Sequence, residues 1–128
     1  MIEASALKPG DLVADYQIDK VLGAGSFGVT YLATDVNLAR QVAVKEYLPV
    51  EYARRDATGN VNSRSVDTAA TFEWGLERFT EEARTLAQFS HPNIVRILHI
   101  VQNLNGTTYL VMELLDGRDF EQVVEQEG

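Results

Sequence analysis

Tyr16, Ile18, Val21 and Leu22 form a short apolar series that runs into the stretch Gly23-Ala24-Gly25-Ser26-Phe27-Gly28. Beyond it, Val29-Thr30-Tyr31-Leu32-Ala33-Thr34 is rich in β-branched and aromatic residues, which suit a pleated, half-buried surface. The pattern predicts two strands joined by a glycine turn. After a turn over 35–39, the run 41–47 passes through Val42-Ala43-Val44 into Lys45 and predicts a third strand, which Pro49 breaks. Between 48 and 66, residues 51–55 read as a short helical turn, and Thr58-Gly59-Asn60 as the turn of a small hairpin. The clearest periodicity covers 70–89, where Phe72, Leu76, Phe79, Ala83 and Leu86 recur at +4, +3, +4 and +3, one face of a helix. His91-Pro92-Asn93 ends it, because the residue before a proline avoids the helical region. Two further strands follow over 94–101 and 107–114, joined by Asn103-Leu104-Asn105-Gly106, whose Asn-Gly marks a tight hairpin. Gly117 punctuates the chain, and 118–127 has a helical pattern. The expected architecture is α+β, a five-stranded antiparallel sheet with one principal helix packed on it.

The 128 residues suffice for one domain, and 45% hydrophobic with 23% charged residues are globular values. Eleven Lys and Arg against nineteen Asp and Glu give a net charge of −8, a field that repels phosphate and argues against broad nucleic-acid or membrane contact. With no cysteine, disulfides, zinc–thiolate sites and thiol nucleophiles are excluded. His91 and His99 are too few for a metal cage, so no metal ligand is expected, and His91 is read as structuring its turn. The apolar runs are too short to span a membrane and the start lacks a signal-peptide pattern, so the expectation is a cytoplasmic domain.

The candidate chemistry lies in the glycines, Lys45 and the helix carboxylates. A glycine pattern of this spacing also occurs as a plain turn that needs positive φ. A dinucleotide-binding fold would start a helix within the motif, whereas β-prone residues follow Gly28. A Walker loop is absent, since no Gly-Lys-Ser/Thr follows at the required spacing. A flexible flap over a nucleoside triphosphate remains. Lys45, one of three lysines, is either a strand-end ammonium in water or a cation fixed near phosphates by a carboxylate. At about 100° per residue, Glu82 lies at the edge of the apolar stripe, Glu81 nearly opposite it, and Glu73 near an edge but further back. Glu82 is therefore the acid expected to reach inward to Lys45. Arg54 and Arg55 read as a solvated turn or a contact for phosphorylated substrate, and Trp74 as packing.

Taken together, these residues resemble the small N-terminal lobe of eukaryotic-type protein kinases, in particular bacterial serine/threonine kinases. Residues 23–33 look like the glycine-rich loop, and Val42-Ala43-Val44-Lys45 like the strand carrying the phosphate-binding lysine. Phe79-Thr80-Glu81-Glu82-Ala83 is similar to the lysine-pairing segment, His91-Pro92-Asn93-Ile94-Val95 to the turn into the fourth strand, and Tyr109-Leu110-Val111-Met112-Glu113 to the strand before the hinge. The resemblance implies ATP as ligand, with backbone groups of Gly23, Gly25, Ser26, Phe27 and Gly28 cradling the phosphates. Lys45 would hold the α- and β-phosphates and Glu82 would orient it. Leu22, Thr30, Ala43 and Val95 would line the adenine slot with Met112 at its back, and the Glu113 carbonyl and Leu115 N–H would bind the adenine edge. Thr30 stands where the family usually places Val. The implied partners are ATP and a protein substrate.

The resemblance also divides the chain into an extension over 1–13, the lobe over 14–115 with an insertion at 48–66, and a hinge with the start of a larger lobe over 116–128. Catalysis in the family needs a His-Arg-Asp loop and an Asp-Phe-Gly segment for magnesium. Neither His91 nor His99 is followed by Arg-Asp, and Asp119-Phe120 is followed by Glu121. The chain is thus expected to be cut from a longer ATP-dependent kinase and to be inactive alone, its magnesium held by the larger lobe. The alternatives are a non-catalytic interaction module or a nucleotide sensor. Phe120, Val123 and Val124 predict an apolar stripe that either joins another copy or folds back over the cleft.

Overall fold

Strand-forming residues set off by turns give one antiparallel sheet in the computed structural model, which describes residues 5–88 and 96–114. Its elements are β1 (Leu12–Val13), β2 (Tyr16–Gly25), β3 (Gly28–Asp35), β4 (Arg40–Tyr47), β5 (Ala53–Arg55), β6 (Val61–Ser63), α1 (Val66–Ala87), β7 (Ile97–Leu104) and β8 (Thr107–Glu113). The main sheet runs β1-β2-β3-β4-β8-β7, the expected five strands plus a two-residue edge strand. Asn105 and Gly106 turn β7 into β8 with φ of 54° and 73°, the positive pair that a two-residue hairpin favours. The expected helical turn at 51–55 is replaced by β5, which pairs with β6 around Thr58-Gly59-Asn60. Asp56 closes that turn by accepting from the Thr58 and Asn60 N–H groups, at 2.9 and 3.1 Å. Helix α1 starts four residues earlier than the periodicity suggests, because Ser65 and Thr68 cap it: the Thr68 hydroxyl accepts from Ser65 N–H at 3.2 Å. Residues 117–128, on which the apolar-stripe expectation rests, lie outside the described residues, as do His91-Pro92-Asn93.

Alternation along β4 divides the sheet into two faces. Ala43, Lys45 and Tyr47 share one with Leu110 and Met112, and α1 packs there through Phe72, Phe79, Thr80 and Ala83. Tyr47 anchors the helix, with its ring 5.4 Å from that of Phe72 and 5.7 Å from that of Phe79, and its hydroxyl donating to Phe72 O at 2.8 Å. Leu86 drifts off the contact and is 41% exposed. Trp74 is not a packing residue: it is 64% exposed, with the Arg78 guanidinium 5.1 Å from its ring centre.

The opposite face carries Val29, Tyr31, Val42, Val44, Tyr109 and Val111, sealed by Ala6, Leu7 and Val13 from the start of the chain and by Ala53 and Val61 from the β5–β6 hairpin. Glu46 lies in the middle of this apolar layer, fully buried. Its carboxylate accepts from Tyr31 Oη at 2.6 Å and pairs with Arg55 Nη2 at 2.5 Å. Arg55 is therefore neither a solvated turn residue nor free for substrate. Burial works against its charge, but Glu46 beside it prevails and its pKa is raised.

Gly75 lets α1 settle on Tyr47, since a Cβ there would overlap the Tyr47 hydroxyl. Helix propensity alone favours alanine by about 1 kcal/mol, whereas overpacking costs about 1–3 kcal/mol. Gly75→Ala is therefore expected to lower the midpoint of urea unfolding, and a raised midpoint would show that propensity wins.

The buried phenols also set an alkaline limit. Burial, and then the charge of Tyr52, push Tyr47 from its ordinary 10.0 up to about 12, and Tyr31 and Tyr109 are raised by burial and by Glu46. A phenol whose pKa is higher in the folded state stabilises fully below the unfolded value, and that contribution is lost as pH climbs through the folded one. For Tyr47 alone, unfolding free energy should fall by about 2–3 kcal/mol between pH 10 and about 12. A urea series at increasing pH that stayed flat to about 12 would contradict this.

Candidate functional site

The glycine turn is the hairpin between β2 and β3, where Gly25 pairs with Gly28 and Ser26 and Phe27 form the tip. Gly28 has φ of 148°, and a Cβ on it would overlap the Glu46 carbonyl and the Leu48 amide. Leu48 N–H donates to Phe27 O at 2.8 Å. The last glycine is therefore required by the close approach of β4, and it ties the flap to the strand that carries the lysine.

Register brings the other expected residues together. Thr30 lies directly across from Lys45, Lys45 from Leu110, and Ala43 from Met112, and such opposed pairs share a face. Ala43, Leu110 and Met112 form a buried apolar floor against which Leu22, Ile97 and Leu114 pack. Leu110 and Ile97 were not expected site residues from the sequence, although Leu110 is two residues from Met112 and so projects from the same face. Thr30 is buried, and Lys45 is half-buried with Nζ 4.2 Å from the centre of the Phe27 ring. Glu113 is half-buried, with its N–H donating to Arg96 O at 2.8 Å. Val95 and Leu115 lie outside the described residues.

Glu82 departs from expectation. Its carboxylate is 70% exposed and sits 3.8 Å from Arg78, one turn earlier on α1, and no ion pair joins it to Lys45 among the described residues. At this level of the helix the inward positions are Phe79, Thr80 and Ala83. Glu82 instead lines a shallow groove on the helix with Arg78, Glu81, Thr85 and Leu86.

The arrangement suits a nucleotide. An apolar floor of this kind can receive a planar base, and here it shares its face with the cation Lys45, against which the Phe27 ring of the glycine turn rests. No group of three or more His, Asp or Glu able to hold a metal is found among the described residues.

The comparisons agree with this geometry. The chain belongs to the protein kinase domain family, whose model matches residues 16–128. It is 33% identical over 121 residues to the serine/threonine-protein kinase PknJ of Mycobacterium tuberculosis, covering 94% of this chain and 17% of that protein. It is 30% identical over 113 residues to PrkC of Bacillus subtilis, a serine/threonine-protein kinase, covering 88% and 14%. Among solved structures it is similar to the apo form of PpkA, with a TM-score of 0.81 and 35% identity over 86% of this chain and 39% of that one. The fold is thus that of the protein kinase small lobe, and the chain spans less than a fifth of the curated relatives named here.

Gly28→Ala puts a side chain into strained backbone against two main-chain atoms. It should destabilise the chain by about 2 kcal/mol or more, read as a lower thermal midpoint, and an unchanged midpoint would show that the turn relaxes freely.

Proposed function

We propose that the chain is the ATP-binding lobe of a serine/threonine protein kinase, the whole protein transferring the γ-phosphoryl group of ATP to Ser or Thr of a protein substrate. The observation that carries this reading is the single face shared by the Ala43–Met112 floor and Lys45 beneath the glycine turn. Leu22, Ala43, Val95 and Met112 hold the adenine, with Thr30 on the same face. The backbones of Glu113 and Leu115 meet its edge. Gly23, Gly25, Ser26, Phe27 and Gly28 cover the phosphates. Lys45 neutralises charge on the α- and β-phosphates, which matters because phosphoryl transfer depends on positioning and electrostatic stabilisation. Glu82 orients Lys45 once it exchanges Arg78 for that partner. Magnesium, which ligands in the larger lobe would hold, would supply further neutralisation. A site that draws on ATP belongs in the cytoplasm, and no described helix is long and apolar enough to cross a membrane.

The larger lobe of the family would supply the other half of the slot and the magnesium ligands, so the affinity of this chain for ATP should be weak, with Kd about millimolar or higher, near −4 kcal/mol. Lys45→Met should weaken ATP while leaving adenosine unchanged, and in the whole kinase it should remove most turnover. Calorimetry checks the first and a phosphorylation assay the second. Micromolar binding by this chain would favour a nucleotide sensor, and turnover surviving Lys45→Met would refute the site.

A further inference from the structure

We propose that Arg55, from the segment inserted before α1, is a positioning residue for the phosphate end of the site, acting through Glu46 and the backbone of β4. The proposal rests on the nucleotide-binding reading above. Each arm of its guanidinium is committed: Nε donates to Ser5 O at 2.8 Å, Nη1 to Gly59 O at 2.9 Å, and Nη2 to Glu46 at 2.5 Å. The other Glu46 oxygen accepts from Tyr31 Oη, which in turn accepts from Leu7 N–H at 3.0 Å. Arg55 therefore ties the start of the chain and the β5–β6 hairpin to Glu46, the residue that follows Lys45, and Glu46 in turn holds β3 through Tyr31.

Successive residues of a strand project to opposite faces. Fixing Glu46 behind the sheet fixes the peptide unit it shares with Lys45, and hence the direction in which Lys45 leaves the front. The glycine turn is indexed to the same place, since Gly28 lies against Glu46 O and Leu48 N–H holds Phe27 O. The Phe27 ring then meets Lys45 Nζ at 4.2 Å. A buried ion pair contributes little net stability compared with apolar packing, so stability alone is a poor account of a charge pair at this position.

The test uses the 128-residue chain and three variants: Arg55→Met, Arg55→Lys, and the double variant Glu46→Gln with Arg55→Met, which leaves no unpaired carboxylate. The first readout needs no nucleotide. Limited acetylation followed by mass spectrometry gives the labelling of Lys45 relative to exposed Lys20 in the same molecule. Arg55→Met should raise that ratio about threefold, the scale of a lost cation–π contact. The double variant should do the same, and Arg55→Lys, which keeps the charge but not the fork, should fall between. The second readout is binding: Kd for ATP should rise about three- to tenfold, the scale of a weakened charge-assisted contact, with adenosine unchanged. If Arg55→Met does not fold, the double variant decides. Unchanged labelling in a folded variant, or equal weakening of ATP and adenosine, would overturn the role. Failure of the wild-type chain to bind either ligand would sink the nucleotide reading, and the labelling ratio would still decide whether Arg55 positions Lys45.

Discussion

The buried carboxylate of Glu46 is the constraint around which the rest of the structure is arranged. An ionised group removed from water is tolerated only when its lone pairs are engaged and an opposite charge lies beside it. Tyr31 and Arg55 meet that demand, and no buried side-chain polar atom among the described residues lacks a partner. Supplying the arginine requires the chain to leave β4, turn at Pro49 and come back as a hairpin behind the sheet. That hairpin and the first residues of the chain then close the back face, which would otherwise expose Val42, Val44, Tyr109 and Val111. The front face is left to α1 and the ligand.

The same arrangement explains why one strand can serve both purposes. Val42, Val44 and Glu46 belong to the sealed layer, while Ala43 and Lys45 belong to the open one, and register passes this division to β3 and β8. The glycine turn shares the reference point because Gly28 has no side chain to hold it away from β4. The core, the β5–β6 hairpin and the candidate site are thus coupled through a few consecutive backbone units.

Five of the six strands of the main sheet were legible because they are bounded by residues with a definite turn preference, such as the glycines of 23–28 and Asn105-Gly106, whereas the two-residue β1 is too short to carry a period. Of the candidate site, the sequence marks out three spaced glycines and an apolar stretch running into Lys45, and register places Lys45 on one face with Thr30 and Leu110. The three-residue strand β5 was not legible, since so short a stretch carries no period and its partner β6 lies across a turn. Arg55 looked solvated because nothing local distinguishes it from Arg54, and its partner Glu46 is nine residues away on another strand. Glu82 was placed by helical angle, which gives the direction of a Cβ but not which partner the carboxylate selects.

That selection separates a fixed half of the site from an adjustable one. The Arg78–Glu82 pair is an exposed i, i+4 contact at 3.8 Å, and such pairs contribute about 0.3–0.5 kcal/mol. The contact between Lys45 and Phe27 adds about 0.5–2 kcal/mol. Glu82 therefore gives up little by leaving Arg78. Arg55 and Glu46 are held differently, because separating them strands a charge in an apolar layer at about 3–5 kcal/mol. The back of β4 is thus fixed by a contact far costlier to break than the Arg78–Glu82 pair on α1.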